Sequence, residues 1–163
     1  MKKHILIGIF FLTSSLVHSQ ATVTRPLSEP DEVAQVISAT TAELLLVTDT
    51  FRNETLADAV RVALLERGVQ VFVVVPEALV TDLSSYFGTL ERAGASIRLQ
   101  ETTGAFLVVD RQHVIQGPLL STLEAAPQAS PTMLISNADY AEQLAERFID
   151  AFEGATPWTH EPQ

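Results

Sequence analysis

No cysteine occurs anywhere in the 163 residues. That excludes a disulfide framework, a thiolate metal site and a cysteine nucleophile. Lysine stops at Lys3, so every basic residue from 20 onward is an arginine. Beyond the first nineteen residues histidine is limited to His113 and His160. This leaves no pair at ligand spacing for zinc or copper, and neither a metal nor a cofactor is expected. The seven glycines are scattered at helix stops and turns, so there is no glycine-rich phosphate loop. Ser121 and Thr122 follow Gly117 without a G-x-S-x-G elbow or an evident His and Asp partner for a hydrolase triad.

The one extended apolar run, Ile5 to Val17, follows the basic start Lys2-Lys3-His4. It is shorter than the roughly 20 residues a permanent span wants. Val17-His-Ser19 then puts small residues where a signal peptidase reads. Residues 1–19 are therefore expected to be a signal peptide, and no cysteine follows for a lipoprotein anchor. The expected product is exported, periplasmic or secreted, with no stable membrane span once the signal is removed.

Residues 20–163 are long enough for one domain with a real core. Without Lys2 and Lys3 they carry eight arginines against twenty acids, a formal charge of −12. Such a surface repels phosphate backbones and anionic lipid unless the arginines cluster. Their spread from Arg25 to Arg147 suggests no cluster, so a nucleic-acid partner is not expected.

Residues 20–30, with Pro26 and Pro30, read as a linker. Asp31 is placed as the cap of a helix to about Thr41. Glu43 to Asp49 is an apolar run expected to form a strand buried on both faces. Asn53 caps a helix over 54–67 that Gly68 stops. A strand over 69–75 follows, ended by Pro76. Thr81 is placed as the cap of a third helix to about Ala93. Strands are expected at 95–99, 105–109, 114–117 and 132–135, with a turn at Asp110 to His113. A last helix begins at Asn137 or Asp139 and runs to about Phe152. Residues 156–163, with Trp158 and His160, read as a flexible tail. His113 is expected on the surface of its turn. Asp49 and Asp110, both at strand ends, are a conceivable carboxylate pair. The helices between the early strands imply an α/β fold with a mixed, mostly parallel sheet covered on both faces.

The segment Thr103-Gly-Ala-Phe-Leu-Val-Val-Asp110, followed by Gly117-Pro-Leu-Leu-Ser-Thr122, resembles the phospholipase D superfamily signature. That signature reads H-x-K-x-x-x-x-D, then G-S-x-N-x-[ST]. Anchored on Asp110, Thr103 falls on the family's nucleophilic His and Ala105 on its Lys. Gly117 and Thr122 fit the second part, whereas Pro118 stands for its Ser and Leu120 for its Asn. Glu66 to Val75 resembles the family's K-R-G-V-x-V strand, and Arg92 to Arg98 its A-G-I-x-V-R stretch. The likeness spans residues 31–155.

The resemblance implies a phospholipase D-like domain with a degenerate site. In active members the His attacks phosphorus, while Lys and Asn neutralise the phosphoryl oxygens. A hydroxyl at 103 would need a neighbouring base. Ala105 and Leu120 offer no donor for developing charge. The chain is thus expected to be a binding or assembly module, leaning away from catalysis. The alternative is a phosphodiesterase or phosphatidyltransferase with residual activity, or activity shared with a partner chain. Asp110 is expected to be a turn former. The family pairs two motif faces, so Leu119 and Leu120 are candidate interface residues of a homodimer or a complex with a protein partner. With about equal reason they fill the vacated pocket within one subunit.

Overall fold

The computed structural model describes residues 21–80, 85–102, 104–121 and 130–159. Residues 1–19, where a signal peptide is expected, and Thr81, Thr103, Thr122 and His160 lie outside them. The eight strands are β1 (Val23–Leu27), β2 (Glu43–Val47), β3 (Gln70–Val75), β4 (Ser96–Leu99), β5 (Phe106–Val109), β6 (His113–Gln116), β7 (Thr132–Ser136) and β8 (Thr156–Trp158). They form one sheet in the order β1-β7-β6-β5-β2-β3-β4-β8. The helices are α1 (Pro30–Ser38), α2 (Glu54–Arg67), α3 (Glu77–Val80), α4 (Phe87–Arg92) and α5 (Ala138–Gly154).

Central strand β2 shows why the sheet is covered twice. Its run alternates face by face: Leu44 and Leu46 join the core under α1 and α2, while Leu45 and Val47 join the core under α5. Period-two alternation sends both sets into apolar surroundings. Each buried leucine contributes about 1.5–3 kcal/mol. Helix α2 follows its sequence signals. The Asn53 side chain accepts from the Leu56 amide, and Gly68 closes the helix at φ 68°. Arg67 then donates to the carbonyls of Ile37, Ser38 and Thr40, clamping the end of α1. Asn137 caps α5 through the Tyr140 amide.

Five expectations are corrected. Only β2–β3 and β3–β4 pair parallel, and the other five pairings are antiparallel. Helices connect β2 to β3 and β3 to β4, the two parallel pairs, whereas β5 returns to β6 through a short turn, so the sheet is mixed rather than mostly parallel. Residues 23–27 are no linker: they form an edge strand on β7, a position that tolerates Pro26. Residues 156–158 are likewise an edge strand, on β4, with Trp158 packed against the core. Helix α1 begins one residue before Asp31, with Pro30 in its first turn and Glu29 as N-cap. A proline there lacks only an amide that has no helical partner anyway. Of the helix expected from Thr81 to about Ala93, the described residues hold only α4, and the short α3 precedes Thr81.

Candidate functional site

The β5–β6 hairpin has two ends, and the motif residues divide between them. At the turn end, Asp110 and Arg111 both adopt positive φ, 49° and 53°. Aspartate tolerates that region, whereas arginine is strained there. Asp110 holds the turn through four acceptor contacts. Its Oδ2 takes the Thr41 amide at 2.8 Å and the Thr41 hydroxyl at 3.0 Å. Its Oδ1 takes the amides of Ala42 at 2.9 Å and Glu43 at 3.0 Å. Partial burial pushes this carboxyl up, but the Thr41, Glu43 and Ala42 amides outweigh it and leave the group below its ordinary value. Arg111 completes the lock, with Nε 2.6 Å from Glu43 and Nη1 2.8 Å from Glu142. Asp110 is therefore more than a turn former, because it ties the hairpin to the chain entering β2.

At the other end lies a cleft of about 470 Å³. It sits where β5 begins, β6 ends and β7 begins, beside the C-terminal end of parallel strand β2. Open α/β sheets place their ligands outside such strand ends. Gly104, Ala105, Gly117, Pro118, Met133 and Ile135 line most of it, with Gln116, Ser121, Ser130 and Pro131 supplying its polar groups. None of these lining residues carries an ionisable side chain. The Ser121 hydroxyl lies 3.4 Å from the Pro118 carbonyl. No base accompanies it among the described residues lining the cleft.

Two buried threonines, with no warning in the sequence, shape this end. Gly117 has φ 139° and ψ −177°, a region essentially restricted to glycine. A Cβ there would lie 2.6 Å from the Thr132 Cα. The Thr132 hydroxyl accepts the Leu119 amide at 3.0 Å. The Thr48 hydroxyl lies 3.0 Å from the Leu120 carbonyl and 2.7 Å from that of Thr50. Both threonines are almost wholly buried. They fix the 3-10 turn Pro118–Leu120 that carries the second motif.

The remaining candidates are placed as follows. Ala105 and Gly117 converge on the cleft, while Thr103 and Thr122 are outside the described residues. Leu120 is 2% exposed and belongs to the core under α1 and α2. It fills space within this chain and is no interface residue. Leu119 is half-buried against the same core. Asp49 and Asp110 do not meet: Asp110 follows β5 at the start of β2, and Asp49 follows the end of β2. The five residues of β2 alone separate them by about 15 Å. His113 is not a surface turn residue. It opens β6, half-buried, with Nδ1 2.9 Å from the Ser136 hydroxyl. Among the described residues no group of three His, Cys, Asp or Glu converges for a metal ion, and no helix is long and apolar enough to cross a membrane.

Comparison with solved structures identifies the architecture. Nuc from Salmonella typhimurium, a phospholipase D family member, matches with a TM-score of 0.75 at 18% identity, over 86% of this chain and 100% of Nuc. NucT from Helicobacter pylori matches at 0.71 and 12% identity, over 85% of this chain and 99% of its own. TrmBL2, an archaeal chromatin protein with a novel mode of DNA binding, matches at 0.63 and 18% identity, over 87% of this chain and 56% of its own. No family model and no curated protein matches the chain by sequence. The chain has the phospholipase D-like fold.

Proposed function

We propose that this chain is an exported, catalytically inactive phospholipase D-like domain that acts as a binding or assembly module through its motif cleft. One observation carries the reading: the described residues lining the cleft include no acid, base or cation. Phosphoryl transfer needs a nucleophile unprotonated near neutral pH and donors or cations for the equatorial oxygens. Ala105 stands where the Lys would be, and Leu120 is spent on core packing. No lysine exists after Lys3 to act from elsewhere.

The same chemistry argues for an apolar, protein-type partner over a nucleic acid. Arg25, Arg61, Arg67, Arg98 and Arg111 are all committed to acceptors within the chain. The net charge of −12 for 20–163 opposes a phosphate backbone. The cleft instead offers Met133, Ile135, Pro118 and Ala105, surfaces that a second copy or another protein can cover.

Sedimentation velocity of residues 20–163, compared with Met133→Asp, tests the assembly reading. Met133 is half-buried at the cleft wall, so the charge alters that surface without entering the core. A homodimer that Met133→Asp dissociates supports self-assembly through the cleft. A wild-type dimer unmoved by the charge removes the cleft from that role. A monomer in both cases excludes self-assembly and restricts the partner to a different protein.

A further inference from the structure

A second cavity, of about 350 Å³, lies at the turn end of the β5–β6 hairpin, away from the motif cleft. The four residues of β5 alone separate the two by about 13 Å. Val36 of α1 and Ala39, the residue capping its C-terminus, form one wall, and Val109 and Leu134 of the sheet form the other. The size falls within the range of small-molecule sites, which pair apolar walls with a few placed polar groups.

Those polar groups are Gln35, Gln112 and His113. The His113 ring is oriented by its neighbour, because Nδ1 is taken by the Ser136 hydroxyl. Nε2, across the ring, has no hydrogen-bond partner among the described residues. Depending on which way the Ser136 contact runs, Nε2 is either an acceptor or a donor. A ligand hydroxyl satisfies both cases.

Charge narrows the class further. Asp110 is the one carboxylate among the described residues of the cavity wall, and it already accepts four donors. It has no call for a ligand donor, and its negative charge opposes an anion. No arginine lines the cavity among the described residues, and the adjacent Arg111 is held by Glu43 and Glu142. We propose that this cavity is a binding site for a small neutral alcohol or phenol, its apolar body between α1 and the sheet and its hydroxyl on His113 Nε2.

The probe is 4-ethylphenol, titrated into 15N-labelled residues 20–163 while the imidazole nitrogens are followed by NMR. Every strand and helix among the described residues lies within that span, and His113 and His160 are its only histidines. The expected result is a saturable displacement of the His113 Nε2 resonance, with an affinity around the millimolar range that roughly ten heavy atoms allow. The similarly shaped 4-ethyltoluene, which has no hydroxyl, should leave Nε2 in place. Ala39→Trp, on the exposed end of α1, should fill the cavity and abolish the displacement. Gln35→Trp, on the same exposed helix face, repeats the test should the first variant lose its native circular dichroism. Absence of saturable displacement, equal displacement by 4-ethyltoluene, or full displacement in a folded tryptophan variant would each overturn the assignment.

Discussion

Replacing Gly117 by alanine probes the second motif turn at its least tolerant atom. Two costs arise from the same methyl group. The backbone at φ 139° and ψ −177° is strained for any L side chain, by about 1–3 kcal/mol. The new Cβ would also lie 2.6 Å from the Thr132 Cα, 2.8 Å from its hydroxyl and 3.1 Å from the Pro131 carbonyl. Backbone atoms cannot rotate away, so β7 or the turn must shift. That shift breaks the Leu119 amide to Thr132 hydroxyl bond and leaves buried groups unpaired, at about 1–3 kcal/mol. The combined loss is about 2–6 kcal/mol. With a urea slope of about 2 kcal/mol per molar for a domain of this size, the midpoint should fall by about 2 M. Gly154→Ala is the control, since a Cβ there meets nothing within 4 Å and should change stability by about 1 kcal/mol or less. A Gly117→Ala midpoint within about 0.5 M of wild type, or equal to that of the control, would refute the packing account of this turn.

Other perturbations report on the opposite end of the hairpin and on the core. Asp110 has a lowered folded pKa, so its contribution is present above its unfolded value near 4 and is lost as pH falls through the folded value. Urea midpoints measured from pH 6 down to pH 2 should decline below about pH 4, and the decline should be shallower in Asp110→Asn. That variant should also lose about 2–3 kcal/mol at pH 7, because its amide nitrogen faces donors. Arg111→Ala loses two ion pairs and keeps the positive φ, whereas Arg111→Gly loses the pairs and relieves the strain. The glycine variant should therefore be the more stable by about 1 kcal/mol in thermal or urea unfolding. Leu120→Ala should cost about 2–5 kcal/mol through cavity formation, with no change of oligomeric state by light scattering.

The elements that sequence reasoning found are those with strong local punctuation. Asn53 and Gly68 bracket α2, and Asn137 opens α5, because capping chemistry is written in single residues. The apolar runs of β2 and β3 announced strands buried on both faces. The short edge strands were not legible. Val23–Leu27 and Thr156–Trp158 have little apolar pattern and contain prolines, and they become strands only because β7 and β4 offer free edges. Sheet direction was misjudged for a related reason, since the antiparallel β2–β5 pairing joins segments nearly sixty residues apart. The motif frame was legible through Asp110 and Gly117, whose backbone roles demand particular residue types. Thr48 and Thr132 were not, because a buried threonine hydroxyl gives no local signal of its distant partner. The burial of Leu120 was the open choice of the sequence, and packing decided it in favour of the core.

The most direct test is release of 4-nitrophenolate from bis-p-nitrophenyl phosphate by purified residues 20–163, with Thr103→Ala assayed alongside. A cleft whose described lining carries no ionisable side chain should give a rate equal to buffer for both proteins. Turnover by the wild-type chain that Thr103→Ala abolishes would contradict the account.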